Sequence, residues 1–185
     1  MKNYIFGYGS LISKENRKRT GITGSSFLVR IKGYKRSWNV LISKEKTIAL
    51  GLEKNNKSTC NGVIFEVPYE EISLFDKREG NSYQRMQIFL DKIIFLGEKI
   101  KEGNIWVYLT KIKGKPSKEF PIYQSYVDVI LTGCLEISEE FAQEFIKNTY
   151  NWKFIENDRE NPKYPRSLKK LEKQKEIDIL MELRK

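Results

Sequence analysis

Residues 4–11 read YIFGYGSL. An apolar run with the character of a buried strand stops at Gly7, and after one tyrosine come a second glycine and a hydroxyl. A dinucleotide-binding loop would carry a third glycine at position 12, where Ile12 stands, and no phosphate-binding lysine accompanies Ser10 as in a P-loop. Two readings stay open. In one, Gly7 and Gly9 free the backbone for unusual dihedrals and close approach of a ligand, and the amides of Gly9, Ser10 and Leu11 form an anion or oxyanion cradle. In the other, the chain makes an ordinary tight turn out of a core strand.

Further strand-like segments rich in Val, Ile, Phe and Tyr follow this one, at 27–31, 37–42, 47–53, 61–67, 83–96 and 104–110, with 3–7 at the start. Gly33, Lys54–Lys57, Gly97 and Gly103 interrupt them with turn-favouring residues. Helical patterns are fewer. One covers about 69–79, where Pro68 suits a first turn, Ile72 and Phe75 share a face and Gly80 supplies a stop. Others are predicted at 121–132, at 138–148 with Ser138 as N-cap, and at 167–183. Most strands precede most helices, so the expected class is α+β: a small mixed β-barrel or curled sheet of six to seven strands flanked by helices. No repeat or low-complexity linker divides residues 1–185, and one domain is expected.

Composition excludes more chemistry than it supplies. The chain has no histidine, which removes Ser-His-Asp and Cys-His catalysis, imidazole acid–base steps and His-ligated metals. Cys60 and Cys134 stand alone without metal-ligand spacing and read as packing residues of a reducing compartment, so no metal is expected. No apolar run is long enough to cross a membrane and the first residues lack a signal-peptide profile, which together predict a cytoplasmic chain with no membrane partner. The net charge of +10 comes from lysines scattered along the whole chain without a nucleic-acid-binding motif. A nucleic-acid partner is therefore not expected, and the dense run Arg166–Lys175 reads as a solvated helical face.

The second informative stretch is LFDKREGNSYQR, residues 74–85. Glu79 falls at the end of the predicted helix, where the helix dipole disfavours another negative charge and raises the carboxyl pKa. If it also faces an apolar pocket, desolvation raises the pKa further and makes it a general acid/base near neutrality, unless Arg78 folds over it. The alternative is one more exposed glutamate at a helix end. Asp76, one turn earlier, offers a possible paired carboxylate.

Taken together, FGYGSL at 6–11 and FDKREGNSY at 75–83 resemble the substrate-binding motif and the catalytic-glutamate segment of the gamma-glutamylcyclotransferase superfamily, with its ChaC-like, gamma-glutamylamine-acting and AIG2-like branches. PIYQSYVDVILTG at 121–133 is similar to a late tyrosine-containing helix of that family, and NDRENPKYPRS at 157–167 to a C-terminal segment of some bacterial members. The resemblance implies a cofactor-independent enzyme that releases 5-oxoproline from a gamma-glutamyl amide or peptide. It places the substrate cradle on Tyr8, Gly9, Ser10 and Leu11, the acid/base on Glu79, and an auxiliary tyrosine on Tyr126, with Tyr123 as the other candidate. Leu11 fits the ChaC-like branch, whereas Gly80-Asn81-Ser82-Tyr83 fits the others, so the leaving amine stays open.

That reaction also accounts for the missing histidines. The substrate's α-amine is itself the nucleophile, so the protein supplies only a proton carrier and oxyanion donors. Asp158, Arg159 and Arg166 are candidates to approach a substrate carboxylate; Trp38, Trp106 and Trp152 read as core or pocket-wall aromatics. Two further functions share the predicted fold: a non-catalytic module binding a small carboxylate, and a biosynthetic enzyme that removes a gamma-glutamyl group.

Overall fold

Tyr4 and Phe6 of the first strand enter the larger of two apolar cores and Ile5 the smaller, so successive residues bury on opposite faces and the strand has no polar side. The computed structural model describes residues 1–184. In chain order it contains β1 (Asn3–Gly7), α1 (Lys14–Lys18), β2 (Ser26–Ile42), β3 (Thr47–Val67), α2 (Ile72–Glu79), β4 (Tyr83–Ile88), β5 (Ile93–Phe95) and β6 (Asn104–Thr110). These are followed by β7 (Ile122–Tyr123), α3 (Gln124–Leu135), α4 (Glu139–Lys147), β8 (Thr149–Tyr150), β9 (Ile155–Glu156) and α5 (Gln174–Met181).

The fold is α+β. Seven strands form one sheet in the order β4-β6-β1-β3-β2-β5, with β8 added beside β2, and β7 and β9 pair separately. β1 runs parallel to β6 and antiparallel to β3, which makes the sheet mixed. It curls strongly, and Val40 forms an isolated bridge with Lys113 beyond β6, yet β4 and β5 remain unpaired with each other. The expected barrel is thus an open, curled sheet.

The curl belongs to one long hairpin. The strands expected at 27–31 and 37–42 are continuous in β2, and those at 47–53 and 61–67 are continuous in β3. Gly33, with φ of 83°, lies opposite the Lys54–Lys57 segment where the register shifts between Lys32 and Tyr34. What reads in sequence as two turns is a bulge that bends a single hairpin. The true turn lies at residues 43–46.

Helices α3, α4 and α5 cover one face through Val127, Ile130, Phe141, Phe145, Ile177 and Leu180. Helix α2 covers the other, with Ile72 and Phe75 packed on Val63, Phe65 and Tyr108. Truncating Phe75 to alanine would cost about 3–5 kcal/mol and release the helix that carries Glu79. Ser138 caps α4, its hydroxyl accepting from the Phe141 amide at 3.1 Å.

Three expectations are corrected by packing. The segment 83–96 is broken by a 3-10 turn at Leu90–Lys92. The helix expected at 121–132 starts only at Gln124, because Ile122 and Tyr123 pair with β9. The terminal helix is Gln174–Met181 rather than 167–183: Ile177, Leu180 and Met181 bury there, while residues before Gln174 are spent on irregular chain.

Candidate active site

Beyond β1 the chain makes a 3-10 turn at Ser10–Ile12, closed by Ile12 N–H donating to Gly9 O at 2.9 Å. Neither Gly7 nor Gly9 has positive φ; the positive-φ glycines are Gly33, Gly80 and Gly103. Gly7 serves space, whereas a side chain on Gly9 would meet its neighbours at ordinary van der Waals distance. A Cβ on Gly7 would stand 2.9 Å from Leu11 O, and one on Gly9 would stand 3.4 Å from both the Tyr126 hydroxyl and Leu50 Cδ2.

Two buried guanidiniums hold this loop from behind. Arg17 Nη1 donates to Leu11 O at 3.0 Å and Ile12 O at 2.7 Å, and burial lowers its pKa to about 10. Arg36 Nη1 reaches Tyr8 O at 3.4 Å. With those carbonyls occupied, the turn's first amides lie at an N-terminus with no acceptor inside the turn.

Glu79 closes the site from the end of α2. Gly80, at φ 61° and ψ −158°, stops the helix in a backbone region that side chains avoid, so the chain turns directly after the carboxylate. Glu79 borders both a recess lined by Tyr8, Gly9, Ser10 and Leu11 and a wider cavity of about 240 Å³ that opens from it. Burial pushes the Glu79 carboxyl up from its ordinary value, and the Arg78 guanidinium, Nε 3.3 Å from Oε1, pulls in the opposite direction without cancelling it. Arg78 is held in turn by Ser10 Oγ at 2.9 Å and Thr20 Oγ1 at 2.8 Å.

Five tyrosines surround this carboxylate. Burial raises the pKa of Tyr8, Tyr83, Tyr108, Tyr126 and Tyr164, and the negative charge of Glu79 adds to the rise in every one. All five are therefore neutral donors at neutral pH. Four spend their protons elsewhere: Tyr8 on Tyr108 O at 2.7 Å, Tyr83 on Leu50 O at 2.8 Å, Tyr108 on Asp76 Oδ1 at 2.9 Å and Tyr164 on Ser10 Oγ at 3.4 Å. Tyr126 packs between Trp38, met edge-on, and the tilted ring of Tyr164, with centroids at 5.6 Å and 4.5 Å, which fixes its hydroxyl beside Gly9.

Tyr8, Gly9, Ser10, Leu11, Glu79 and Tyr126 thus gather around one recess, although 70 residues separate the two motifs. Tyr123 lines only the wider cavity, and its hydroxyl donates to Glu45 O at 2.6 Å, tying down the hairpin turn. Asp76 is not paired with Glu79: it accepts from Arg85 at 2.7 Å and Tyr108 at 2.9 Å. Asp158 takes the Ser125 amide, the Ser125 hydroxyl and the Lys163 amide, which makes it a cap for α3. Arg159 bridges Asp128 and Asp178 outside the cavity.

Arg166 does reach the cavity, donating to Thr20 Oγ1 at 2.9 Å. Trp38 and Trp152 are core, whereas Trp106 is half-buried beneath Arg85. Both cysteines are buried and free, with thiol pKa values pushed up to about 11 for Cys60 and about 12 for Cys134. Sequence reasoning missed Thr20, Tyr108 and Tyr164 as parts of the site. Only Tyr164 carried a signal, inside the NPKYPRS segment.

Residues 5–126, about two-thirds of the chain, match the model of the family described as "Gamma-glutamyl cyclotransferase, AIG2-like". No curated protein matches the chain. Among solved structures, a gamma-glutamyl cyclotransferase superposes with a TM-score of 0.65 at 16% identity, over 98% of this chain and 99% of that one. The uncharacterized protein loc79017 from Homo sapiens gives 0.57 at 15% identity, over 97% and 98%. YkqA from Bacillus subtilis gives 0.56 at 21% identity, over 77% of this chain and 52% of that one. At these identities the structural likenesses establish a common fold. The family match runs from within β1 to Tyr126, through both the Gly-Tyr-Gly-Ser turn and Glu79, and by it this chain belongs to the gamma-glutamyl cyclotransferase, AIG2-like family.

Proposed function

We propose that the protein is a gamma-glutamylcyclotransferase that releases 5-oxoproline from a gamma-glutamyl amide or peptide, with Glu79 as general acid/base. The observation that carries this reading is a partly buried carboxylate lining a cavity, with a raised pKa, beside the Tyr8–Leu11 turn in a chain without histidine.

The substrate's α-amine attacks its own γ-carbonyl carbon, a C–N bond closes the five-membered ring, and the amide C–N bond breaks. Two protons leave the α-ammonium nitrogen and two arrive on the departing nitrogen, so Glu79, lying between them, ends in its starting ionisation state. A carboxyl with an upward-shifted pKa is suited to both transfers, and such positioned proton transfer is worth ~10²–10⁴-fold in rate. The turn amides at Ser10 and Leu11 receive either the oxyanion or the α-carboxylate; a single oxyanion donor contributes ~2.7–4 kcal/mol. Tyr126 adds a neutral hydroxyl at the same point, and the walls hold amine and carbonyl in attack geometry. The chemistry as written calls on no cofactor.

The experiment is 5-oxoproline release, measured by mass spectrometry, from gamma-glutamyl dipeptides, glutathione, gamma-glutamyl-lysine and gamma-glutamyl amines, with wild type beside Glu79→Gln. Release by the wild type that disappears in the variant is the expected result. Turnover by the variant near the wild-type rate would remove Glu79 from the mechanism. A second reading, a non-catalytic binder of small carboxylates, draws support from the Arg78–Glu79 ion pair, which favours the ionised form of Glu79 against the effect of burial. Binding without release from any substrate would favour it.

A further inference from the structure

Three cationic side chains line the cavity, Arg78, Lys163 and Arg166, against two carboxylates, Glu45 and Glu79. Their partners differ. Arg78 stands beside Glu79, and Lys163 is paired with Glu156. Among the described residues, no carboxylate lies within 4.0 Å of the Arg166 guanidinium. Arg166 and Arg78 also donate to the same acceptor, Thr20 Oγ1, at 2.9 Å and 2.8 Å, while that hydroxyl donates to Asn16 O at 3.0 Å. Two guanidiniums are thereby brought together at a half-buried point with only one neighbouring carboxylate between them. Like charges held this close favour occupation by an anion.

The position of Arg166 says which part of a substrate meets it. The recess by the Tyr8–Leu11 turn does not include Arg166; the wider part, between the hairpin turn and the Tyr164–Arg166 segment, does. Glu79 borders both; with the glutamyl portion taken against the turn and the scissile nitrogen at Glu79, the leaving portion extends into the part that Arg166 lines. We infer that the cavity selects a leaving amine that bears a carboxylate, as an amino acid does, and that Arg166 is the residue that binds it. This rests on the cyclotransferase reading. Arginine's planar fork suits a carboxylate, and the unpaired guanidinium would discriminate against neutral and cationic leaving amines.

The test compares gamma-glutamyl-alanine, gamma-glutamyl-alaninamide and the gamma-glutamyl amide of a diamine in wild type and Arg166→Gln. The wild type is expected to favour the acid over the alaninamide in kcat/KM by about tenfold or more, with the diamine amide poorest, and the variant to lose that ratio. A wild-type ratio near one would overturn the inference. So would a ratio that survives in the variant while all substrates weaken together, because Arg166 would then hold the glutamyl α-carboxylate common to them all. If neither these substrates nor glutathione and gamma-glutamyl-lysine are turned over, the cyclotransferase reading has failed, and calorimetry with N-glutaryl-alanine and N-glutaryl-alaninamide, which lack the attacking amine, decides the inference separately. Tighter binding of the acid that Arg166→Gln abolishes supports it; equal binding overturns it.

Discussion

Arg36 and Glu79 are charges beside the same loop, one fully buried and one partly buried, and they are treated in opposite ways. Arg36 is fully enclosed and has no carboxylate partner among the described residues, yet its donors are matched: Nε to Thr149 Oγ1 at 2.8 Å, Nη1 to Tyr8 O and Asn61 O, Nη2 to Asn61 Oδ1 at 2.9 Å and Phe145 O at 3.0 Å. Phe145 belongs to the last turn of α4, whose negative dipole end takes the place of a counter-ion, and its ring lies 3.6 Å under the guanidinium. Glu79 has one partner at 3.3 Å, and the tyrosine hydroxyls nearest it donate mainly to other groups. Satisfied burial makes a structural joint. Under-satisfied burial leaves a group whose proton is easily moved, and that is where chemistry is expected.

The comparison breaks most visibly at Arg36. Arg36→Met takes the guanidinium from five acceptors in the core, of which Phe145 O keeps the Thr149 hydroxyl, and is expected to lower unfolding free energy by about 3–5 kcal/mol, measured by denaturant titration; a midpoint near wild type would deny Arg36 its role as a joint. Glu79→Gln should do the reverse. Because the folded-state pKa of Glu79 lies above its unfolded value, folding disfavours the ionised form. The resulting destabilisation is absent below the unfolded pKa and complete above the folded one. The variant should therefore match the wild type in acid and equal or exceed its thermal midpoint at neutral pH.

Smaller effects sharpen the contrast. Gly80→Ala meets no atom within 4 Å but must adopt φ 61°, so about 1–3 kcal/mol of stability should be lost through backbone alone, with Glu79 misdirected. Unchanged stability and activity would show that the stop after Glu79 is not demanding. Tyr126→Phe removes one neutral hydrogen-bonding group, worth ~0.5–1.5 kcal/mol, and should reduce kcat/KM several-fold with little change in stability. Arg78→Gln removes the charge that holds the Glu79 pKa down, so the acid limb of the pH–rate profile should move to higher pH; a shift to lower pH would mean that Arg78 does not favour the Glu79 carboxylate.

The local signals of the fold were plain in the sequence. β1, β6, the capped helix at Ser138 and the Gly80 stop each follow from a few neighbouring residues. Length and pairing were not, because a bulge opposite Gly33 and two turns produce the same residues, and the hairpin's continuity depends on register. The terminal helix was overextended because Lys and Glu favour helix everywhere, whereas only Ile177, Leu180 and Met181 find a core. Glu79 and the Gly-Tyr-Gly-Ser turn were readable as motifs, but the purpose of Gly7 was not: a side chain there would run into Leu11, which only the folded turn brings near. Thr20, whose hydroxyl joins Arg78 and Arg166, has no local signal at all.

The most direct measurement is the titration of the Glu79 carboxyl, read as the protonated-carboxyl infrared band present in the wild type and missing from Glu79→Gln, alongside the pH–rate profile of 5-oxoproline release. A midpoint above the ordinary value of 4.5, coinciding with the acid limb of the profile, is the predicted result. A midpoint at or below 4.5, or an acid limb that persists unchanged without the Glu79 carboxyl, would contradict the assignment of Glu79 as the acid/base.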